Sequence, residues 1–285
     1  MQERARVLLE ALPYIQRFHG KILVIKLGGD LVENRELRDS ICQDVVLLNY
    51  VGMKPVLVHG GGSEITQEMR KAGKKPKFVG GLRVTDEETM EILYKSLVGK
   101  INKELVLGIS KHGGRAMGIS GIDGGLIQAK KLKRGRADLG LVGEVERIDP
   151  AIIHYLISTD YIPVITPLGV DAKGRSLNLN ADIVAAELAA SMRAEKLILL
   201  TNVPGVLRKP KDERSLISHL SVKQAKKLIK SGTITEGMIP KVEACIKAVQ
   251  GGVIRTHIID GTAPHALLLE LLTESGIGTM IERGS

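Results

Sequence analysis

An unbroken apolar run that stops on glycine occurs twice in the first part of this chain. Residues 22–29 read Ile-Leu-Val-Ile-Lys-Leu-Gly-Gly, and residues 55–62 read Pro-Val-Leu-Val-His-Gly-Gly-Gly. Apolar residues without alternation belong to strands buried on both faces, the usual state of strands in a parallel sheet. Helical spacing resumes after each turn, at Leu37, Ile41, Val45 and Leu48, then at Ile65, Met69 and Ala72, with Ser63 in position to cap the second helix. Consecutive glycines are costly to order, and a chain keeps them mainly where something must approach the backbone. At the edge of a parallel sheet, two such turns present N–H groups and helix N-termini to an anion. Lys26 adds a mobile positive charge there. Neither turn fits G-x-x-x-x-G-K-S/T or G-x-G-x-x-G, so the P-loop and dinucleotide fingerprints are absent.

The rest of the chain keeps the alternation. An amphipathic helix over 3–18, with Leu8, Ala11, Leu12, Ile15 and Phe18 on one stripe and a kink at Pro13, precedes the first strand. A helix capped by Thr85, with Glu88 at the capping-box position, runs past Met90, Leu93 and Leu97, and another surrounds Leu105 and Ile109. Residues 115–145 change to short strands, a β-rich layer suited to cover a substrate. Helices at 150–158, 222–230, 240–249 and 264–272, and one running to Ser191, then alternate with strands at 162–166, 196–200, 256–259 and 279–281. The pattern predicts an α/β fold, a three-layer αβα sandwich around a mainly parallel sheet, preceded by an N-terminal kinked helix.

Charge and cysteine usage narrow the function. The net charge is +9, but the basic residues are dispersed and aromatics make up only 2% of the chain. Base-stacking platforms are therefore scarce, no nucleic-acid partner is expected, and a phosphorylated or carboxylated small substrate accounts better for the charge. Cys42 and Cys245 sit in helical patterns with no metal-ligand spacing. With no signal peptide and no apolar run of the ~20 residues a membrane span needs, the expectation is a reduced, cytoplasmic protein with no metal site of its own and no membrane contact.

Six segments, read together and in order, resemble the amino acid kinase family, and within it the acetylglutamate kinases. They are Lys26-Leu27-Gly28-Gly29, His59-Gly60-Gly61-Gly62, Gly81-Leu82-Arg83-Val84-Thr85, Asn178-Leu179-Asn180-Ala181-Asp182, Leu200-Thr201-Asn202-Val203-Pro204-Gly205-Val206 and Gly237-Met238-Ile239-Pro240-Lys241-Val242. The resemblance covers the chain from Lys21 to its C-terminus. It implies ATP-dependent phosphorylation of the γ-carboxylate of N-acetyl-L-glutamate, an early step of arginine biosynthesis. A kinase of the same fold acting on an aminoadipate derivative is the alternative. The residues suit the chemistry: a side-chain carboxylate with a pKa near ~4.3 is already an anionic nucleophile, so no general base is required. The difficulty is electrostatic, an anion attacking a polyanion.

By resemblance, Lys26 and Lys241 hold the γ-phosphoryl oxygens, Asp182 orients both lysines, and N–H groups at Gly28, Gly29 and Gly61 add hydrogen bonds. Arg83 clamps the substrate's α-carboxylate, as a guanidinium does bidentately, and Gly61, Gly62 and Asn178 complete that site. Gly28, Gly29, Thr201, Asn202, Gly205 and Thr235 serve the nucleotide, and Mg2+ enters on the ATP phosphates. Lys241 follows Pro240 in a helix's first turn, where the dipole disfavours a merely structural cation. His59 is expected to be a satisfied strand-end histidine rather than a base, and Asn180 a helix cap. Asp30, Ser63 and Glu236 depart from the common pattern, and Asp30 threatens to bring negative charge near the phosphates.

The implied division is an oligomerisation helix over 1–20, an acetylglutamate-binding lobe over 21–193 and a nucleotide-binding lobe over 194–285 that includes an effector region. Arginine-inhibited members resemble this chain at its N-terminal helix, at His257-Ile258-Ile259-Asp260-Gly261, at Glu270 and at Gly276-Ile277-Gly278-Thr279. The resemblance implies L-arginine as an allosteric inhibitor held by Glu270 and the backbone near Gly276, with Tyr14, Lys196 and His257 completing the pocket. It also implies a hexamer, three dimers linked through the N-terminal helices.

Overall fold

The computed structural model describes every residue except 1, 134, 136, 137, 210, 211, 235, 236, 275 and 285, and every described side chain except those of residues 2–5 and 7. One eight-stranded sheet runs through the molecule in the order His219–Ser221, Thr279–Glu282, Arg255–Asp260, Lys196–Thr201, Ile22–Leu27, Lys54–His59, Ile162–Thr166 and Ala116–Ser120. The last six are mutually parallel; Thr279–Glu282 pairs antiparallel with Arg255–Asp260, and His219–Ser221 runs with it at the edge.

Residues along each central strand alternate between two cores. Val24, Val56, Val58, Leu197, Leu199 and Ile258 face the helices Ala151–Ser158, Ala181–Ser191 and Ile239–Gln250. Leu23, Ile25, Leu57, Ile198, Leu200 and Ile259 face Arg35–Tyr50, the helical stretch 87–111 and Ala266–Leu272. Each such side chain contributes about 1.5–3 kcal/mol relative to exposure, so two-sided burial is what holds these apolar runs as central strands. This is the expected three-layer sandwich.

The register matters for the site. Leu27 pairs with His59 on one side and Leu200 on the other, so the turns after all three strands leave the sheet at one edge. A second sheet, Ser176–Asn178, Leu168–Val170, Ile127–Lys131 and Gly143–Ile148, lies apart from the first. It accounts for most of the β-rich segment, while Ala116–Ser120 closes the main sheet instead. Bridges from Thr85 to Gly140 and from Val142 to Asn178 tie this sheet to the substrate-side residues.

Several local expectations are corrected. The helix after Thr85 is capped by Asp86, whose side chain accepts from the Thr89 N–H, while the Thr85 hydroxyl donates to the Arg83 carbonyl. Glu87–Leu93 and Asn102–Lys111 are joined by a π-helical segment, Tyr94–Ile101, so two expected helices are one rod. Ser63 lies inside the helix Gly62–Lys71, whose N-cap is Gly61. The N-terminal helix Gln2–Phe18 contains Pro13. Its far end is anchored by buried Phe18 and half-buried Tyr14, whereas Leu8, Leu9 and Leu12 remain exposed. No helix among the described residues is long and apolar enough to cross a membrane.

Candidate active site

The two glycine turns touch each other. The Gly28 N–H donates to the Leu200 carbonyl at 3.0 Å and the Gly60 N–H to the Leu27 carbonyl at 2.9 Å, which stitches the turns to neighbouring strand ends. A Cβ on Gly29 would lie 3.0 Å from the Gly62 nitrogen and 3.4 Å from Gly61 Cα, and one on Gly61 would strike Ile101 Cδ1 at 2.5 Å and Leu97 Cδ2 at 2.6 Å. Part of the close approach that the glycines permit is therefore between the turns themselves. Gly28's N–H is spent on Leu200, which removes it from the set of anion donors. The N–H groups opening the helices Gly29–Glu33 and Gly62–Lys71 belong to first turns, which lack intrahelical partners.

Lys26 is the fifth residue of its strand and is buried at the turn. Its Nζ lies 2.7 Å from Asp182 Oδ1, and Lys241 Nζ lies 3.6 Å from Asp182 Oδ2. Asp182 stands in the first turn of Ala181–Ser191, where the helix dipole favours a carboxylate, and Asn180 caps that turn by accepting from the Asp182 and Ile183 N–H groups at 2.9 and 3.1 Å. Lys241 enters from the first turn of Ile239–Gln250. Burial opposes the charge on Asp182, but the charges and hydrogen bonds of Lys26 and Lys241 outweigh it and hold the carboxyl below its ordinary range. An aspartate held in that state takes no proton at neutral pH; it fixes two ammonium groups around one point.

One cavity is lined by Asn180 and Ala181, the residues before Asp182, and another by Lys241. The first, about 220 Å³, is also lined by Gly61, Gly62, Phe78, Arg83, Leu97 and Asn178, among others. Arg83 is buried there, its guanidinium donating to the Gly62 carbonyl at 2.6 Å and Thr66 Oγ1 at 2.8 Å while stacking 4.7 Å from the Phe78 ring. The Asn178 amide donates to Thr85 Oγ1 at 3.0 Å. The second, about 320 Å³, is lined by Thr201, Asn202, Gly205, Thr233, Met238 and Lys241, among others. Gly205 takes φ 141°, and a Cβ there would lie 2.6 Å from Thr279 Oγ1. Thr235 and Glu236 lie outside the described residues.

Sequence reasoning does not single out Thr66 or Phe78, and it reads Thr85 as a helix cap and Leu97 as a helix-face residue, not as parts of the site. Phe78 carries a usable signal, because it is one of only two phenylalanines in the chain and stands five residues before Arg83. The other, Phe18, stacks 5.0 Å from Lys196 Nζ. His59 is fully buried, its ring bonded to the Gly60 carbonyl and Thr166 Oγ1, and burial pushes its pKa down to about 4. It is a neutral structural group.

A third cavity, about 350 Å³, gathers Tyr14, Lys196, His257, Glu270 and Gly276 at the opposite end of the strands, where Lys196 opens its strand. Glu270 Oε1 lies 2.7 Å from His257 Nδ1 and 3.3 Å from Lys196 Nζ, and its Oε2 accepts from the Ile277 N–H at 2.9 Å. Burial opposes the Glu270 charge, yet the His257 contact and the Lys196 charge hold its carboxyl below the ordinary range. Burial lowers both His257 and Lys196 against the opposing pull of Glu270. His257 Nε2 is buried with no hydrogen-bond partner.

The profile of the amino acid kinase family matches residues 21–260. The acetylglutamate kinase of Moorella thermoacetica is 52% identical over 290 residues, covering 99% of this chain and 98% of the relative. Among solved structures, the N-acetylglutamate synthase from Neisseria gonorrhoeae complexed with coenzyme A and N-acetyl-glutamate superposes with a TM-score of 0.89 at 27% identity, covering 99% of this chain and 64% of that one. The same synthase complexed with coenzyme A and L-arginine gives a TM-score of 0.84 at 26% identity, covering 99% of this chain and 66% of that one.

Proposed function

The chain belongs to the amino acid kinase family, and we propose that it is a cytoplasmic enzyme that uses Lys26, Asp182 and Lys241 to transfer the γ-phosphoryl group of ATP to the side-chain carboxylate of N-acetyl-L-glutamate. The substrate and pathway, N-acetylglutamate and arginine biosynthesis, follow from curated relatives about half identical over nearly the full chain. They favour acetylglutamate over an aminoadipate derivative.

The observation that carries the assignment of residues is the grip of one carboxylate on two lysines, one of which, Lys241, lines the Thr201–Gly205 cavity, while Asn180 and Ala181, which precede Asp182 in sequence, line the Arg83 cavity. A substrate in the Arg83 cavity presents its γ-carboxylate toward Lys26, and a nucleotide in the Thr201–Gly205 cavity presents its γ-phosphate toward Lys241. The carboxylate oxygen forms a bond to phosphorus as the bond to the β-phosphate oxygen breaks; the products are an acyl phosphate and ADP, and no proton moves. Charge on the transferring group is met by the two ammonium groups and by N–H groups of Gly29 and Gly61. Arg83 and Asn178 orient the amino-acid end. Among the described residues no group of three His, Cys, Asp or Glu side chains is arranged to hold a metal, and Asp182 is engaged by lysines. Mg2+ therefore fits as an ion carried by phosphate oxygens and water, where it would neutralise phosphate charge.

L-Arginine fits the third cavity as a feedback inhibitor. Its guanidinium or ammonium suits the Glu270 carboxylate, and the unpartnered His257 Nε2 is available to it. The exposed Leu8, Leu9 and Leu12 support assembly through the N-terminal helices into a hexamer of three dimers. The test of the reaction is trapping by hydroxylamine. Incubation with Mg-ATP and N-acetylglutamate should yield a hydroxamate, and N-acetylaminoadipate should yield far less. No hydroxamate, or a preference for the longer substrate, would overturn the assignment.

A further inference from the structure

Asp30 has no part in the chemistry above, yet its carboxylate joins the two halves of the site. Oδ1 accepts from Ser63 Oγ at 3.0 Å, and Oδ2 accepts from Asn202 Nδ2 at 2.9 Å. Ser63 is the second residue of the helix that begins at the 60–62 turn, and Asn202 lines the nucleotide cavity. The negative charge that the sequence sets beside the phosphates is thus turned sideways and occupied. Asp30 belongs to Gly29–Glu33, the short helix that follows the first glycine turn. Glu33, at its other end, accepts from the Glu64 N–H at 2.5 Å, so the short helix holds the acceptor-side helix at two points. Of these two carboxylates, it is Asp30 that also reaches across to the nucleotide loop.

We propose that Asp30 is a positioning residue that couples the acetylglutamate half of the site to the nucleotide half. When Ser63 and the glycine turn shift around one ligand, the shared carboxylate carries Asn202 with them, so each ligand alters the affinity for the other. Such a coupling is reciprocal by necessity. It rests on the assignment of the two cavities made above.

Asparagine at this position tests whether geometry or charge matters. Its Oδ1 can accept from Ser63 while its Nδ2 donates to a flipped Asn202 amide, so both hydrogen bonds survive without the charge. Titration calorimetry with a non-hydrolysable ATP analogue, with and without saturating N-acetylglutamate, reads the coupling directly. In the wild type, acetylglutamate should change the analogue's affinity by about fivefold or more. In Asp30→Ala and in Ser63→Ala that ratio should fall to within about twofold of unity, whereas Asp30→Asn should keep the wild-type ratio. Asp30 is exposed, so the fold should stand, and Ser63→Ala gives the same reading if Asp30→Ala does not fold. An unaltered ratio in Asp30→Ala or Ser63→Ala, a lost ratio in Asp30→Asn, or a wild-type ratio of one overturns the proposal. If both ligands bind and the ratio is insensitive, the coupling alone fails; if the wild type binds neither ligand, the cavity assignment fails with it.

Discussion

In the proposed reaction, Lys26 and Lys241 act on charge that becomes critical as the phosphoryl group passes between two anions. Their replacement by alanine should lower kcat and kcat/KM together, by about 10²–10³-fold each, while binding of the substrate changes little. Arg83→Ala should act on the other parameter. Losing a charge-assisted pair worth about 1.5–3 kcal/mol should raise the KM for acetylglutamate by roughly ten- to a hundredfold with a smaller effect on kcat. Steady-state kinetics on the three variants separates these outcomes, and a lysine variant with near-normal kcat would refute the charge account. His59 predicts a pH effect on stability rather than rate. Its pKa falls from 6.5 to about 4 in the fold because burial disfavours the charged ring, so the unfolded chain binds the extra proton between those values. Stability is therefore full above the unfolded pKa and declines by about 3 kcal/mol as pH falls toward 4. Urea unfolding across pH 4–7 should show that slope, and His59→Gln should flatten it. Lys26 is legible as a cation ending a buried strand and Lys241 as a cation in a helix's first turn, where the dipole disfavours one, whereas Asp182 and Arg83 sit where ordinary capping or ion-pair residues sit and are read through the family resemblance. Thr66 is not legible, since hydroxyls are common, and Thr85 is read only as a cap and motif residue because its bond with Asn178 closes across 93 positions of sequence.

At the scale of elements, the π-helical segment presses on the substrate turn. Leu97 and Ile101 are buried, and their methyl groups occupy the space that a Cβ on Gly61 would need. Gly61→Ala should destabilise the protein by about 1–3 kcal/mol and depress activity, because the helix and turn cannot both keep their positions. Leu97→Ala should restore part of the stability of that variant, giving a non-additive double-mutant cycle. Melting curves of the four proteins measure this, and strict additivity would show that the contact is not shared. The rod itself was not readable: an i→i+5 segment leaves apolar spacing close to that of an ordinary helix, and its effect on a distant glycine turn appears only once the chain is folded. The long buried strands were readable from unbroken apolar runs. Phe78–Val79, Leu168–Val170 and His219–Ser221 span two or three residues, too short to carry any periodicity. The sequence pattern makes Thr85 the cap, but the backbone gives that place to its neighbour Asp86, which takes extended φ −85°, ψ 179° and bonds Thr89.

Across the whole molecule, the sheet separates catalysis from the third cavity by the length of a strand. Lys196 opens the strand whose last residue, Thr201, lines the nucleotide cavity, a distance of about 17 Å at the usual rise. A ligand drawing Glu270 away from Lys196 would loosen a buried pair at one end of a strand whose other end touches the nucleotide. The N-terminal helix joins that cavity to whatever covers its exposed half. Tyr14 and Phe18 line the cavity, while Leu8, Leu9 and Leu12 lie beyond it, 74%, 67% and 43% exposed. These two halves can be separated by truncation. Removing residues 1–12 deletes the exposed stripe and keeps Tyr14, Phe18 and the Glu270 group in place. Light scattering should then report a dimer instead of a hexamer, calorimetry should show arginine still binding, and inhibition curves should lose their cooperativity. Removing residues 1–19 also takes Phe18, which is 2% exposed and packs beside Lys196, so arginine binding itself should fail and the melting temperature should drop. A 1–12 deletion that stays hexameric would mean that the apolar stripe is not the joint. A dimeric deletion that keeps cooperative inhibition would mean that the ring is not what arginine switches, because a ligand shifts only equilibria between states it binds unequally.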